Sequence, residues 1–167
     1  MNNLITINII RFAGLMFLQV LILNHLNFFG FLNPFVYVLF IILYPIGVNR
    51  TSLILISFLT GFIIDLFLDT GGMHAAATVS IGYVRPIILK FSYGAAYEYQ
   101  SIKVNDSEIY QKLSYFTLMI LFHHLILFTL IFFSLNKFNL ILIYTILTVI
   151  FTLILSLLLN NLFNDKK

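Results

Sequence analysis

The sequence predicts an all-α integral membrane protein, a bundle of about six transmembrane helices with both termini on the cytoplasmic side. Three observations carry that expectation. Of 167 residues, 61% are hydrophobic and only 9% charged, whereas soluble domains carry about 25% charged residues. Several apolar runs approach the roughly 18 to 20 residues that cross a hydrocarbon layer about 30 Å thick. Cationic residues fall mostly between alternate runs, the bias expected of cytoplasmic loops. The formal charge of +3 is small and scattered, which speaks against a nucleic-acid-binding face. With no cysteine, disulfides and thiolate metal sites are excluded.

The elements read in order as one polytopic membrane domain over 1–167. The first span, about 4–23, has no charged leader and no small-x-small cleavage pattern, so it reads as a retained helix. The second, about 28–46, is short or broken: Asn33-Pro34 resembles a cap with proline at the first helical position, and Tyr44-Pro45 ends the run. The third and fourth, about 52–69 and 73–89, form an antiparallel hairpin around Thr70-Gly71-Gly72, because a glycine pair supplies the backbone angles of a tight turn. A polar loop follows over 90–112, with Glu98, Lys103, Asp106 and Glu108 among tyrosines. The fifth and sixth spans cover about 113–135 and 139–163. Counting cations places Arg50, Lys90, Lys103, Lys112, Lys166 and Lys167 on the cytoplasmic side against Lys137 alone outside.

Residues that a bilayer rejects are the candidates for function, since an acid or base at helix centre costs about 2.5 to 3.5 kcal/mol on insertion scales. Ser57, Gly61, Asp65 and Asp69 recur every four residues, a stripe that cannot face lipid. The two carboxylates could hold a cation or share a proton. Equally, Asp69 caps or leaves the helix at the aqueous turn while Asp65 bonds a neighbouring helix. Counted from the glycine turn at 1.5 Å per residue, Asp65 lies roughly 9 Å deep, His74 about 3 to 5 Å and Arg85 about 20 Å. That depth disfavours an Asp65–Arg85 pair and makes the His74 imidazole the nearer partner. Arg85-Pro86 combines a side chain able to snorkel with a proline that permits a kink, and Ala75 to Ala77 with Gly82 allow close helix approach.

His123-His124 diverge by about 100° on their helix and cannot chelate one metal as an i, i+4 pair could. Thr148, Thr152, Ser156 and Asn160 form another four-residue stripe, either bonded to their own helix or forming a seam. Arg11 lies near enough to the cytoplasmic end to snorkel, with Gln19 close to the same face. No nucleophile elbow, phosphate loop, metal-protease or dinucleotide motif is present. A non-enzymatic protein without metal or cofactor is expected.

The segment Gly61-Phe62-Ile63-Ile64-Asp65, Asp69-Thr70-Gly71-Gly72-Met73-His74-Ala75-Ala76-Ala77 and Tyr83-Val84-Arg85-Pro86 resembles the bacterial rod shape-determining MreD family. Asn33-Pro34-Phe35-Val36-Tyr37 with Tyr44-Pro45 is also similar to that family, in its Bacteroidetes-like branch. The likeness in length and span order covers the whole chain, and the motif about a third of it. The resemblance marks Gly61, Asp65, Gly71, Ala75, Arg85 and Pro86, with His74 in a narrower branch. It implies a multi-pass inner-membrane component of the elongation machinery that maintains rod shape and organises lateral peptidoglycan synthesis. The implied partners are an MreC-like membrane protein and, indirectly, MreB filaments and the RodA and penicillin-binding-protein synthases. The rival expectation is a small-solute binding or transport subunit, since the family is distantly similar in fold to substrate-binding components of energy-coupling-factor transporters.

Overall fold

Long runs of leucine, isoleucine and phenylalanine satisfy their backbone polar groups internally only as helices, and a computed structural model shows them so. It describes residues 2–26, 32–94, 97, 104 and 107–162. Six α-helices are present among them: α1 (Asn2–Phe17), α2 (Val38–Leu43), α3 (Arg50–Leu68), α4 (Met73–Tyr93), α5 (Ile109–Phe132) and α6 (Phe138–Leu162). Helix α1 runs on as a π-helical turn over Leu18–Ile22 and a 3-10 turn over Leu23–His25. Among the described residues four stretches are long and apolar enough to cross a membrane: Ile5–His25, Arg50–Leu68, Ile109–Phe132 and Phe138–Leu162. Their outer faces expose Ile9, Phe17, Leu66, Phe67, Ile150 and Leu158, apolar side chains on a scale that only lipid or a partner covers. The described residues are helical, in the manner of a helical membrane protein.

Helix α4 has 21 residues but a different composition. It packs against α3, α5 and α2, so the face that carries His74, Thr78 and Arg85 meets protein. Glycine makes the α3–α4 contact close. A methyl on Gly61 would collide with Thr78 Oγ1, the His74 carbonyl and Ala75 Cα, and one on Gly82 would meet Ser57 Oγ. At the turn, Asp69 (φ 54°), Gly71 (φ 62°) and Gly72 (φ 98°) all take left-handed angles, and the chain reverses in the residues the glycine pair marks.

The second segment departs most from expectation. Its helix is not a cap-and-proline helix starting at Pro34; it begins at Val38 and has only six residues, about 9 Å against a hydrocarbon layer of about 30 Å. Residues 33–35 are not helical. Val36 to Ile42 are nevertheless almost completely buried. The segment runs antiparallel to α1, because Arg11 meets Leu43 and Gln19 meets Pro34. It runs parallel to α4, because Tyr37 meets His74 and Ile42 meets Arg85. A broken element of this kind is tolerated at membrane depth only inside protein, with its free backbone groups satisfied by side chains.

Other boundaries shift by a turn or less. Helix α4 extends past Lys90 to Tyr93 and stops at Gly94, which has φ 54°. Helix α5 starts at Ile109 and ends at Phe132, followed by Phe133 in left-handed conformation. The loop expected over 90–112 is therefore shorter at both ends. Glu98, Lys103 and Asp106 within it, Phe163 at the end of the sixth span, and Lys166 and Lys167 in the tail lie outside the described residues, as does much of the expected start of the second span.

Candidate functional site

The polar residues at membrane depth assemble into three groups, each built around backbone that the broken segment or a helix end leaves open. The first is the hairpin tip. Asp65, 5% exposed, accepts the His74 N–H at 2.9 Å on Oδ1 and the Ala75 N–H at 2.8 Å on Oδ2; the Thr70 hydroxyl also donates to Oδ1 at 2.5 Å. His74 and Ala75 stand in the first turn of α4, whose N–H groups have no partner within the helix. Gly72 at the cap position has no side chain to serve them. Asp65 is thus an N-cap delivered from the neighbouring helix, with its negative charge at the positive end of the α4 dipole. Asp69 is exposed at the turn. Both residues line one groove on the outer side of the hairpin, but both carboxylate oxygens of Asp65 accept from the turn and the start of α4. The partner is the backbone of His74 and not its imidazole.

Gly61 lets this cap reach. Gly61→Ala is expected to lower stability by about 1 to 3 kcal/mol, because two of the three atoms it meets are backbone and α3 must move away. Thermal unfolding of the purified protein reads the effect against Gly14→Ala, where nothing lies within 4 Å. Equal midpoints for the two variants would show that the close approach is not needed.

The second group mirrors the first. Arg85 is 3% exposed and turns inward; it does not snorkel. Its Nε donates to Tyr115 Oη at 2.8 Å and its Nη2 to the carbonyls of Ile42 at 3.4 Å and of Tyr44, while Nη1 reaches the Pro45 carbonyl at 3.5 Å. Tyr115 donates in turn to the Ile42 carbonyl at 3.0 Å. These carbonyls lie at the C-terminus of α2, where the backbone leaves the helix at Tyr44 (ψ 142°) ahead of Pro45. A cation there complements the negative end of the dipole. Arg11 likewise turns to the protein, donating to the Leu43 carbonyl at 3.4 Å and to Asn8 Oδ1 at 3.4 Å. Pro86, next to Arg85, lies within α4, which continues through it.

The third group occupies the centre. Tyr37 Oη lies 2.7 Å from His74 Nδ1 and 2.9 Å from His123 Nε2. With one proton, the phenol donates to one imidazole and accepts from the other. His124 Nδ1 is 2.8 Å from the Ile120 carbonyl, which can only accept. In the neutral ring the proton is therefore on Nδ1, and Nε2 accepts from Thr152 at 3.2 Å. Thr152 Oγ1 also accepts the Phe35 N–H at 3.1 Å, and Gln19 donates to the Pro34 carbonyl at 3.1 Å. The non-helical stretch before α2 is thus held by α1 and α6 as its end is held by α4 and α5. Thr148, Ser156 and Asn160 are buried beside Thr152. Of their stripe only Thr152 bonds across elements; the side-chain N and O atoms of Thr148, Ser156 and Asn160 have no hydrogen-bond partner among the described residues, in contrast to Ser57, Thr60 and Thr78, which bond carbonyls one turn back.

Comparison of the chain with protein-family models, curated proteins and solved structures returns no match.

Sequence reasoning singled out Asp65, His74 and Arg85 but not Tyr115, which shares the cap on α2, nor the bridging role of Tyr37. The available signal was chemical: a tyrosine inside an apolar helix needs a partner for its hydroxyl. Among the described residues no group of three or more His, Cys, Asp or Glu is arranged to hold a metal ion.

Proposed function

We propose that this chain is a non-enzymatic, multi-pass component of a bacterial inner membrane that organises cell-shape (elongation) machinery by packing against the membrane segments of partner proteins. In this reading the six segments all cross, the broken second one included, and both termini are cytoplasmic. The observation that carries it is the hairpin on which the resemblance to the MreD family rests. Its polar groups are engaged in fixing α3 to α4, and its outer side presents a groove of about 550 Å³ between Phe58 and Phe62 on one wall and Ala75, Ala76 and Val79 on the other. Small residues of this kind let another helix approach closely in a membrane. Asp65, Gly71 and Ala75 line the groove and Gly61 sets the close approach of α3 to α4, while Arg85 holds the far end of α4 to α2 and α5.

The test is depletion in the native bacterium combined with purification from its membranes. Rods are expected to round or swell, and an MreC-like protein to co-purify with the chain. Unchanged shape and no such partner would remove the proposal.

A second reading, a small-solute binding subunit, draws on the broken α2, since transporters place discontinuous helices at their binding sites. It requires an energy-coupling partner in the same purification and thermal stabilisation by a vitamin or metal ion. Neither requirement belongs to the scaffold.

A further inference from the structure

The cap at Asp65 pairs a negative charge with the N-terminus of α4, whereas the one at Arg85 leaves a positive charge over. Buried ions are ordinarily paired, because an isolated charge withdrawn from water is costly. Every partner of Arg85 is neutral: one hydroxyl and three carbonyls. The guanidinium has five N–H donors. Nε and both hydrogens of Nη2 have acceptors, whereas Nη1 has one acceptor, at 3.5 Å. One Nη1 hydrogen therefore remains.

Arg85 also lines a small cavity of about 70 Å³, whose walls include Pro45, Gly47, Arg50, Pro86 and Tyr97. Arg50 is exposed, and its guanidinium lies over the Tyr83 ring at 4.3 Å. Among the described residues two cations thus line one cavity, and the aspartates of α3 and its turn stand at the other end of that helix. Like charges sharing a cavity repel unless an anion lies between them.

Level in the membrane narrows the anion. Helix α3 has 19 residues, about 28 Å at 1.5 Å per residue and so close to the hydrocarbon thickness. With its C-terminal end at the aqueous turn, Arg50 at its first position stands at the opposite boundary, where headgroup phosphates lie. Basic pockets between helices at the cytoplasmic boundary are the usual receptors for acidic headgroups, and Arg offers phosphate a planar, forked donor.

We propose that the cavity between Arg50 and Arg85 binds a phosphate group, presented by the headgroup of an anionic phospholipid. A phosphodiester oxygen accepts from the remaining Arg85 Nη1–H and from Arg50, and neutralises the cation that caps α2. A choline headgroup is disfavoured, since its own cation would enter the same field. The proposal rests on the cavity and its charges and not on the cell-shape reading.

Native mass spectrometry and thermal unfolding of the purified full chain test it, with phosphatidylglycerol, phosphatidylcholine and inorganic phosphate as separate probes. The wild type is expected to retain phosphatidylglycerol in preference to phosphatidylcholine and to be stabilised by it. Arg50→Gln, which leaves every Arg85 carbonyl contact in place, should weaken that retention by about fivefold, the effect of one cation at a membrane surface. Lys137→Gln removes the same charge beside Phe132 and should leave retention unchanged. Stabilisation by inorganic phosphate that Arg50→Gln also abolishes would support the phosphate site and identify a free anion as its source. Equal retention of the two lipids together with no response to inorganic phosphate, or a preference that survives Arg50→Gln, would overturn the proposal.

Discussion

Arg85→Met is expected to destabilise the folded chain by about 3 to 5 kcal/mol, the range for removing one member of a buried charged network. Methionine fills much of the volume of the arginine stem, so the loss is one of hydrogen bonding and charge more than of packing. The Tyr44 and Pro45 carbonyls lose the donor that reaches them, and Ile42 keeps only Tyr115. Each buried acceptor left without a donor costs about 1 to 3 kcal/mol. Arg85→Lys keeps the charge but reaches fewer of these oxygens, so its loss should be intermediate. Reversible unfolding in detergent, with proteolysis near Gly47 as a local probe, measures both. A midpoint for Arg85→Met equal to wild type would show that α2 does not depend on this cap.

Asp65→Ala should cost about 3 kcal/mol or more, from two first-turn N–H groups and one hydroxyl each deprived of an acceptor. Asp65→Asn separates charge from shape. Its amide can place oxygen toward His74 and Thr70, but nitrogen then faces the Ala75 N–H, donor against donor. Its loss should fall between wild type and alanine, and hydrogen exchange at the N-terminus of α4 should rise in the same order. Equal protection of the His74 and Ala75 amides in all three proteins would contradict the capping role.

The parts of this fold legible in the sequence are those whose determinants are close along the chain. Gly71 and Gly72 mark the reversal, four-residue spacing puts Ser57, Gly61 and Asp65 on one face, and proline stops α2 at Tyr44. The rest depends on groups far apart. The start of α2 was misplaced because the Phe35 N–H binds Thr152, 117 residues away, and a distant acceptor overrides a local cap. Depth counting separated Asp65 from Arg85 but named the wrong His74 donor: it weighed side chains and left out the unsatisfied amides of a helix start. Arg85 looked able to snorkel because one helix alone shows its distance to water, not the carbonyls that a neighbouring element brings within reach.

The anchoring of residues 34–45 by groups from α1, α4, α5 and α6 bears on biogenesis. During synthesis this stretch leaves the ribosome long before Arg85, Tyr115 or Thr152 exists to receive it. Its Ile42, Tyr44 and Pro45 carbonyls must stay hydrated or borrow temporary donors until the later helices enter the bilayer. The contacts to α1 can form as soon as the segment is made, whereas those to α4, α5 and α6 can be completed only after the helices that follow have been synthesised.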